Sequence, residues 1–188
     1  MEYKQLAIPD VVLLTPKVFG DERGFFMETF RQDEFDKHCG IYSFVQDNHS
    51  SSAKGILRGL HYQHKQPQGK LVRVTKGEVF DVAVDMRQNS PTFGKWVGEY
   101  ISETNKRLLW VPPGFAHGFY VTSETAEFQY KCTDYYAPGD EYSLLWNDPS
   151  VGIDWPTGKE QPILSAKDEQ GSIFAECPVF KTLKMSKA

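Results

Sequence analysis

The chain has 188 residues, 40% hydrophobic and 24% charged, with 21 Lys and Arg against 25 Asp and Glu for a net charge of -4. That composition fits one folded domain with a real core, and the acidic balance argues against a surface built for nucleic-acid backbone. No apolar run approaches the ~20 residues of a membrane-spanning helix, Met1-Glu2-Tyr3-Lys4-Gln5 lacks the pattern of a secretory leader, and Cys39, Cys132 and Cys177 are too few for a disulfide framework, so a cytoplasmic protein is expected.

Strand patterns dominate. Short runs rich in β-branched and aromatic residues predict strands over 11–14, 25–30, 41–45, 71–75, 78–86, 106–111, 127–132 and 142–146. Turn residues separate them: Gly20-Asp21, Gly40, Lys54-Gly55, Lys76-Gly77, Pro91, Pro112-Pro113-Gly114 and Pro138-Gly139. The clearest hairpin reads as 71–75, a turn at Lys76-Gly77, then 78–86. One short helix is expected over 33–39, stopped by Gly40, with Phe35 and Cys39 on one face, and a helical turn near 165–170. There is no repeat or linker. The reading is all-β, an antiparallel jelly roll with few short helices, as a single domain over 1–180, followed by a basic tail at 181–188 that reads as a frayed terminus.

Alternation assigns faces. Over 126–133, Ala126, Phe128, Tyr130 and Cys132 form the apolar, inward set, while Glu127, Gln129, Lys131 and Thr133 form the polar one. Over 80–86, Phe80, Val82, Val84 and Met86 share one face and Asp81, Ala83 and Asp85 the other, where Asp85 is expected to meet solvent.

Three segments place polar residues in apolar company: 57–64, 68–73 and 110–119. In the last, Pro112, Gly114 and His117 have the spacing Pro-x-Gly-x-x-His, which resembles the second signature of the cupin superfamily. Metal-binding cupins carry two histidines one residue apart and then a glutamate. Here the histidines are His61 and His64, which a strand points to opposite faces, and position 68 is Gln, so no metal site is expected.

Together, Phe19-Gly20-Asp21-Glu22-Arg23-Gly24-Phe25-Phe26, Val45-Gln46-Asp47-Asn48-His49-Ser50, Leu57-Arg58-Gly59-Leu60-His61, Gly69-Lys70-Leu71-Val72-Arg73, Gly77-Glu78-Val79-Phe80-Asp81-Val82, Pro113-Gly114-Phe115-Ala116-His117-Gly118-Phe119 and Leu164-Ser165-Ala166-Lys167-Asp168 resemble the dTDP-4-dehydrorhamnose 3,5-epimerase family over residues 6–170. The resemblance implies a cupin-type double-stranded β-helix, a site without metal or cofactor, a homodimer, and inversion of C3 and C5 of dTDP-4-dehydro-6-deoxy-D-glucose on the way to dTDP-L-rhamnose.

Epimerising a carbon beside a ketone removes its proton on one face and returns one on the other, through an enolate. A base, an acid across the ring and a donor at the ketone oxygen are needed. Imidazole changes charge nearest neutral pH, which suits His61 to the base. A phenol is protonated there, which suits inward-facing Tyr130 to the acid, and Lys70 suits the oxygen. By residue type alone, a core tyrosine, an edge-strand lysine and a hydrogen-bonded strand histidine would serve equally. By resemblance, Asp168 partners His61, and Arg23, Phe26 and Glu28 meet the nucleotide, from this chain or a neighbouring subunit. Arg23 and Arg58 offer guanidinium forks to a diphosphate. Gln46, Asn48, Glu141 and Lys167 fall on the family's binding positions, and His117 with Asp81 completes the network around the sugar. Arg58 and His61 lie three apart; a bulge at Gly59 or a place at the barrel mouth would let both serve one site. Three rivals remain open: an epimerase of one centre only, a metal-dependent cupin oxygenase, and a sugar-binding cupin without catalysis.

Overall fold

The computed structural model describes residues 1–182; of the basic tail, 183–188 lie outside the described residues. Thirteen strands are described: β1 (Glu2–Gln5), β2 (Val12–Thr15), β3 (Val18–Asp21), β4 (Gly24–Met27), β5 (Gln46–Ala53), β6 (Leu57–Gln63), β7 (Lys70–Lys76), β8 (Glu78–Asp85), β9 (Trp96–Ser102), β10 (Leu108–Val111), β11 (Phe115–Val121), β12 (Thr125–Cys132) and β13 (Glu141–Ser143). They form a six-stranded sheet in the order β1-β2-β10-β7-β12-β5, a five-stranded sheet in the order β13-β6-β11-β8-β9, and a separate β3–β4 hairpin. Two α-helices are described, α1 (Gln32–Cys39) and α2 (Ala166–Glu169), with short 3-10 turns at Pro138–Asp140 and Phe174–Glu176. This is the expected jelly roll.

The two sheets face each other across an apolar core. Val72 and Val74 of β7, Leu109 and Val111 of β10, and Ala126 and Phe128 of β12 meet Val79 and Ala83 of β8, Val97 and Ile101 of β9, and Phe115, Phe119 and Val121 of β11. Phe119 and Phe128 stack across the gap with centroids 4.2 Å apart. Tyr130 packs on the edge of this cluster, as the alternation of β12 requires.

Both outer faces are covered as well. α1 buries Phe35 against Val12, Leu14, Leu71, Leu108 and Trp110 outside the six-stranded sheet. It ends at Gly40, whose φ of 95° lies in the region that glycine enters at low cost. The C-terminal segment lays Trp155, Cys177 and Phe180 over Leu57, Leu60, Tyr62, Phe80, Val82, Val84 and Met86 outside the five-stranded sheet.

Several sequence expectations are corrected. The 71–86 hairpin does not form: β7 pairs with β10 and β12, β8 with β11 and β9, and Gly77 carries the chain from one sheet to the other. At Gly77 a Cβ would stand 1.9 Å from the carbonyl oxygen of Thr125. Residues 41–45 are not a strand; the strand is the polar segment β5 that follows. β4 stops at Met27 and β13 at Ser143, short of the expected ends. Asp85 does not face solvent. It is fully buried on the core side of β8, because the apolar set beside it faces the C-terminal covering. There it binds Arg87, Ser90 and Thr92, and Arg87 also reaches Asp10 at 2.8 Å.

Candidate active site

A cavity of about 390 Å³ opens between the sheets, lined by Arg58 and His61 of β6, Lys70 of β7, His117 and Phe119 of β11, Tyr130 of β12, Ser50 of β5 and Asp168 of α2. Strand β6 reaches it through an irregularity. β6 pairs with β11 as His117↔His61 and then Phe119↔Arg58, so one extra residue is accommodated between them. Gly59, with φ 126°, is that residue. Leu57, Leu60 and Tyr62 point into the outer cluster while Arg58 and His61 both face the cavity. The bulge is possible because Gly59 lies against Gly118: a Cβ on Gly59 would be 2.6 Å from the Gly118 Cα. Bulge and mouth both hold, since Arg58 is exposed at the rim.

Each imidazole in the cavity is tied to a buried carboxylate. His61 Nε2 lies 2.5 Å from Asp168 Oδ1, and Asp168 is 3% exposed. Ser165 caps α2 and donates its hydroxyl to Asp168 Oδ2 at 2.8 Å. Burial pushes the Asp168 pKa up, but His61, Ser165 and the backbone N–H of Gly59 outweigh it and hold the carboxyl below its ordinary value. A carboxylate at Nε2 leaves Nδ1 as the basic nitrogen of His61. His117 Nε2 sits 2.9 and 3.1 Å from the two oxygens of Asp81, which is wholly buried.

Lys70 is half-buried, and its ammonium makes no hydrogen bond or ion pair among the described residues. Burial lowers its pKa, against smaller opposing effects of Cys132, Glu141 and Asp81. Tyr130 is pushed up to about 12, first by burial and then by Cys132 and Glu141, so its phenol keeps its proton at neutral pH. The cavity therefore holds an imidazole, a protonated phenol and an unpaired ammonium.

The remaining predicted residues divide. Gln46 and Asn48 are on β5; they bond each other at 3.1 Å, and Asn48 also reaches Cys132 Sγ. Glu141 stands beside His61, its Oε1 4.0 Å from Nδ1, and is held by Lys167 and by Tyr136 Oη at 2.9 Å. Arg23, Phe26 and Glu28 are not brought to the cavity. They are exposed on or just after the β3–β4 hairpin, where Phe26 is 72% exposed and Arg23 pairs with Asp21. His64 is turned away, stacking on Phe180 and bonding the Val179 carbonyl oxygen, so it shares no site with His61. Residues missed by the sequence are Ser52, whose hydroxyl accepts from Arg58 Nε at 2.9 Å, Ser50, Tyr136 and Ser165. The serine and asparagine content of 46–53 was the available signal.

Fold and site thus define a cupin-type jelly roll with an acid–base cavity suited to proton transfer. The family model described as dTDP-4-dehydrorhamnose 3,5-epimerase matches residues 5–176. The dTDP-4-dehydrorhamnose 3,5-epimerase of Pseudomonas aeruginosa is 61% identical over 181 residues, 96% of this chain and 99% of that one. The crystal structure of dTDP-6-deoxy-D-glucose-3,5-epimerase from Legionella pneumophila, in complex with dTDP-4-keto-L-rhamnose, superposes with a TM-score of 0.93 at 51% identity, covering 97% of this chain and 99% of that one. A more distant relative, the dTDP-4-dehydrorhamnose 3-epimerase of Streptomyces niveus, is 36% identical over 94% of this chain and 85% of its own. On these grounds the chain belongs to the dTDP-4-dehydrorhamnose 3,5-epimerase family.

Proposed function

We infer that this protein inverts C3 and C5 of dTDP-4-dehydro-6-deoxy-D-glucose, giving dTDP-4-dehydro-L-rhamnose, through enolates formed beside the C4 ketone. The observation that carries this reading is one cavity shared by His61, Lys70 and Tyr130. His61 Nδ1 takes the proton from carbon, the electron pair moves onto the ketone oxygen at Lys70, and Tyr130 returns a proton from the other face. Asp168 holds His61 and stabilises the imidazolium. Arg58, anchored through Nε by Ser52, keeps its outer nitrogens for the diphosphate. Inversion of both centres is favoured over one by 61% identity to a 3,5-epimerase against 36% to a 3-epimerase.

The exposed β3–β4 hairpin supports a homodimer. Val18, Phe19, Phe25 and Phe26 are 42–72% exposed, an apolar patch that a second copy would cover while receiving Arg23, Phe26 and Glu28 at its nucleotide. Three free thiols fit the reducing cytoplasm. Incubation with the keto-sugar in deuterated water tests the chemistry. Exchange at C3 and C5 is expected in the wild type and none in His61→Asn, whereas Tyr130→Phe should exchange without inverting C5. Exchange by His61→Asn at the wild-type rate would remove His61 as the base.

A further inference from the structure

Two carboxylates flank the base, and they differ in where they lead. Asp168, at Nε2, is 3% exposed and closed in by Ser165 and the Gly59 N–H. Glu141, 4.0 Å from Nδ1, is joined to Lys167, whose side chain is 47% exposed, and to exposed Tyr136. In the pairing of β13 with β6, Ser143 stands opposite His61, and its hydroxyl is the one buried side-chain polar atom without a hydrogen-bond partner among the described residues. The free nitrogen of His61 thus has a polar neighbourhood open to solvent on its Glu141 side.

Double inversion makes a demand that this arrangement meets. His61 must lose the first proton before it can take the second, while a sugar covers the cavity. We propose that Glu141 is the exit for that proton, regenerating His61 between the two abstractions. The inference rests on the reading of His61 as the base. In the first step a substrate C–H bond breaks and an N–H bond forms at Nδ1. In the second, that N–H bond breaks as Glu141 Oε1 takes the proton, and Glu141 passes it to water. Tyr130, left as a phenolate after each delivery, regains a proton from solvent, so one proton leaves for each that enters.

A separation of 4.0 Å is too long for a direct hydrogen bond, so the transfer needs a small rotation of Glu141 or one bridging hydroxyl, and Ser143 stands beside the gap. Burial raises the Glu141 pKa, but Lys167, Tyr136 and His61 outweigh it, leaving the carboxyl below its ordinary value. It is an anion at neutral pH and does not retain the proton. Glu141 acts through His61 and is a relay residue, not a catalytic one.

The test is Glu141→Gln in single-turnover assays with excess enzyme, read by deuterium uptake at C3 and C5. With enzyme saturating, the second abstraction should slow at least tenfold more than the first, with a singly inverted sugar accumulating. Added formate or imidazole at constant pH and ionic strength should restore the second step in the variant and leave the wild type unchanged. Equal slowing of both steps, or no response to buffer, overturns the relay and leaves Glu141 as a binding or structural group. Failure of the functional reading looks different: wild-type enzyme would then exchange neither carbon, or only one.

Discussion

Replacing Lys70 by methionine should move activity and stability in opposite directions. The ammonium is half-buried on the cavity wall and bonded to nothing among the described residues, so folding strips part of its water without return. Complete burial of an unbonded polar group costs about 1–3 kcal/mol, which bounds the cost at Lys70 from above. Methionine fills similar volume and recovers that cost, so for a chain of this size Lys70→Met should melt above wild type, by up to about 12 °C. The same change removes the donor at the enolate oxygen, a loss of about 10²–10³ in kcat. Its pH dependence has a definite sign. The folded-state pKa lies below the ordinary 10.5, so between the two values the unfolded chain binds more protons and wild-type stability rises with pH. The penalty is complete below the folded pKa and fades as pH climbs towards 10.5. The gap in melting temperature between variant and wild type should therefore narrow in alkali. Calorimetry from pH 7 to 10.5, with kcat followed by NMR of the product, checks both halves. A variant that melts below wild type at pH 7, or keeps wild-type kcat, refutes the reasoning.

Asp168→Asn should lower kcat by about two to four orders of magnitude with little change in KM, because the amide cannot stabilise the imidazolium; steady-state kinetics decides it. Ionised Asp168 contributes stability above the unfolded carboxyl value of 3.8, and that contribution is lost as pH falls through its lower folded value, so acid melts of the variant should be flatter below pH 3.8. Gly118→Ala would bring a Cβ to 2.6 Å from the Arg58 carbonyl oxygen and 3.0 Å from the Gly59 Cα. Backbone cannot yield cheaply, so a loss of about 1–3 kcal/mol is expected, together with reduced kcat as Arg58 and His61 are pushed apart. Gly139→Ala, with nothing within 4 Å, is the control that should melt like wild type.

What could be read in advance follows from what is local. The alternation in β12, the stop at Gly40 and the turn at Pro112-Pro113-Gly114 are properties of a few neighbouring residues, and each appears where expected. β5 was invisible because its inward side is Gln46, Asn48, Ser50 and Ser52, polar residues that apolar periodicity cannot register. The false hairpin at Lys76-Gly77 shows the limit of turn chemistry. A glycine turn fixes a change of direction, and whether the next strand joins the same sheet depends on partners far along the chain, here β11 and β9. For Asp85, alternation separates the two faces correctly, but nothing local to β8 reveals that the segment ending at Phe180 covers the apolar one. The chemical residues fared better than the elements. His61, Lys70, Tyr130, Arg58, His117 and Asp168 do converge, whereas Arg23 and Phe26 on the exposed β3–β4 hairpin, and Glu28 just after it, do not.

The same division explains why the cavity sits where it does. One part of the space between the sheets is filled by Val72, Val74, Phe119 and Phe128; another holds charged and polar groups. Burying polar groups is tolerated only when they are paired, and nearly all of these are: His61 with Asp168, His117 with Asp81, Arg58 with Ser52, Glu141 with Lys167. Lys70 is the charged group that has no such partner among the described residues. A cation left unpaired by its own chain is free to bond whatever oxygen enters the cavity, and it bonds an enolate more strongly than a ketone. That difference, not the total strength of binding, is what lowers the barrier. The instability carried by Lys70 in the free protein and the acceleration proposed for it in the complex are therefore one property of the site, seen before and after the substrate arrives.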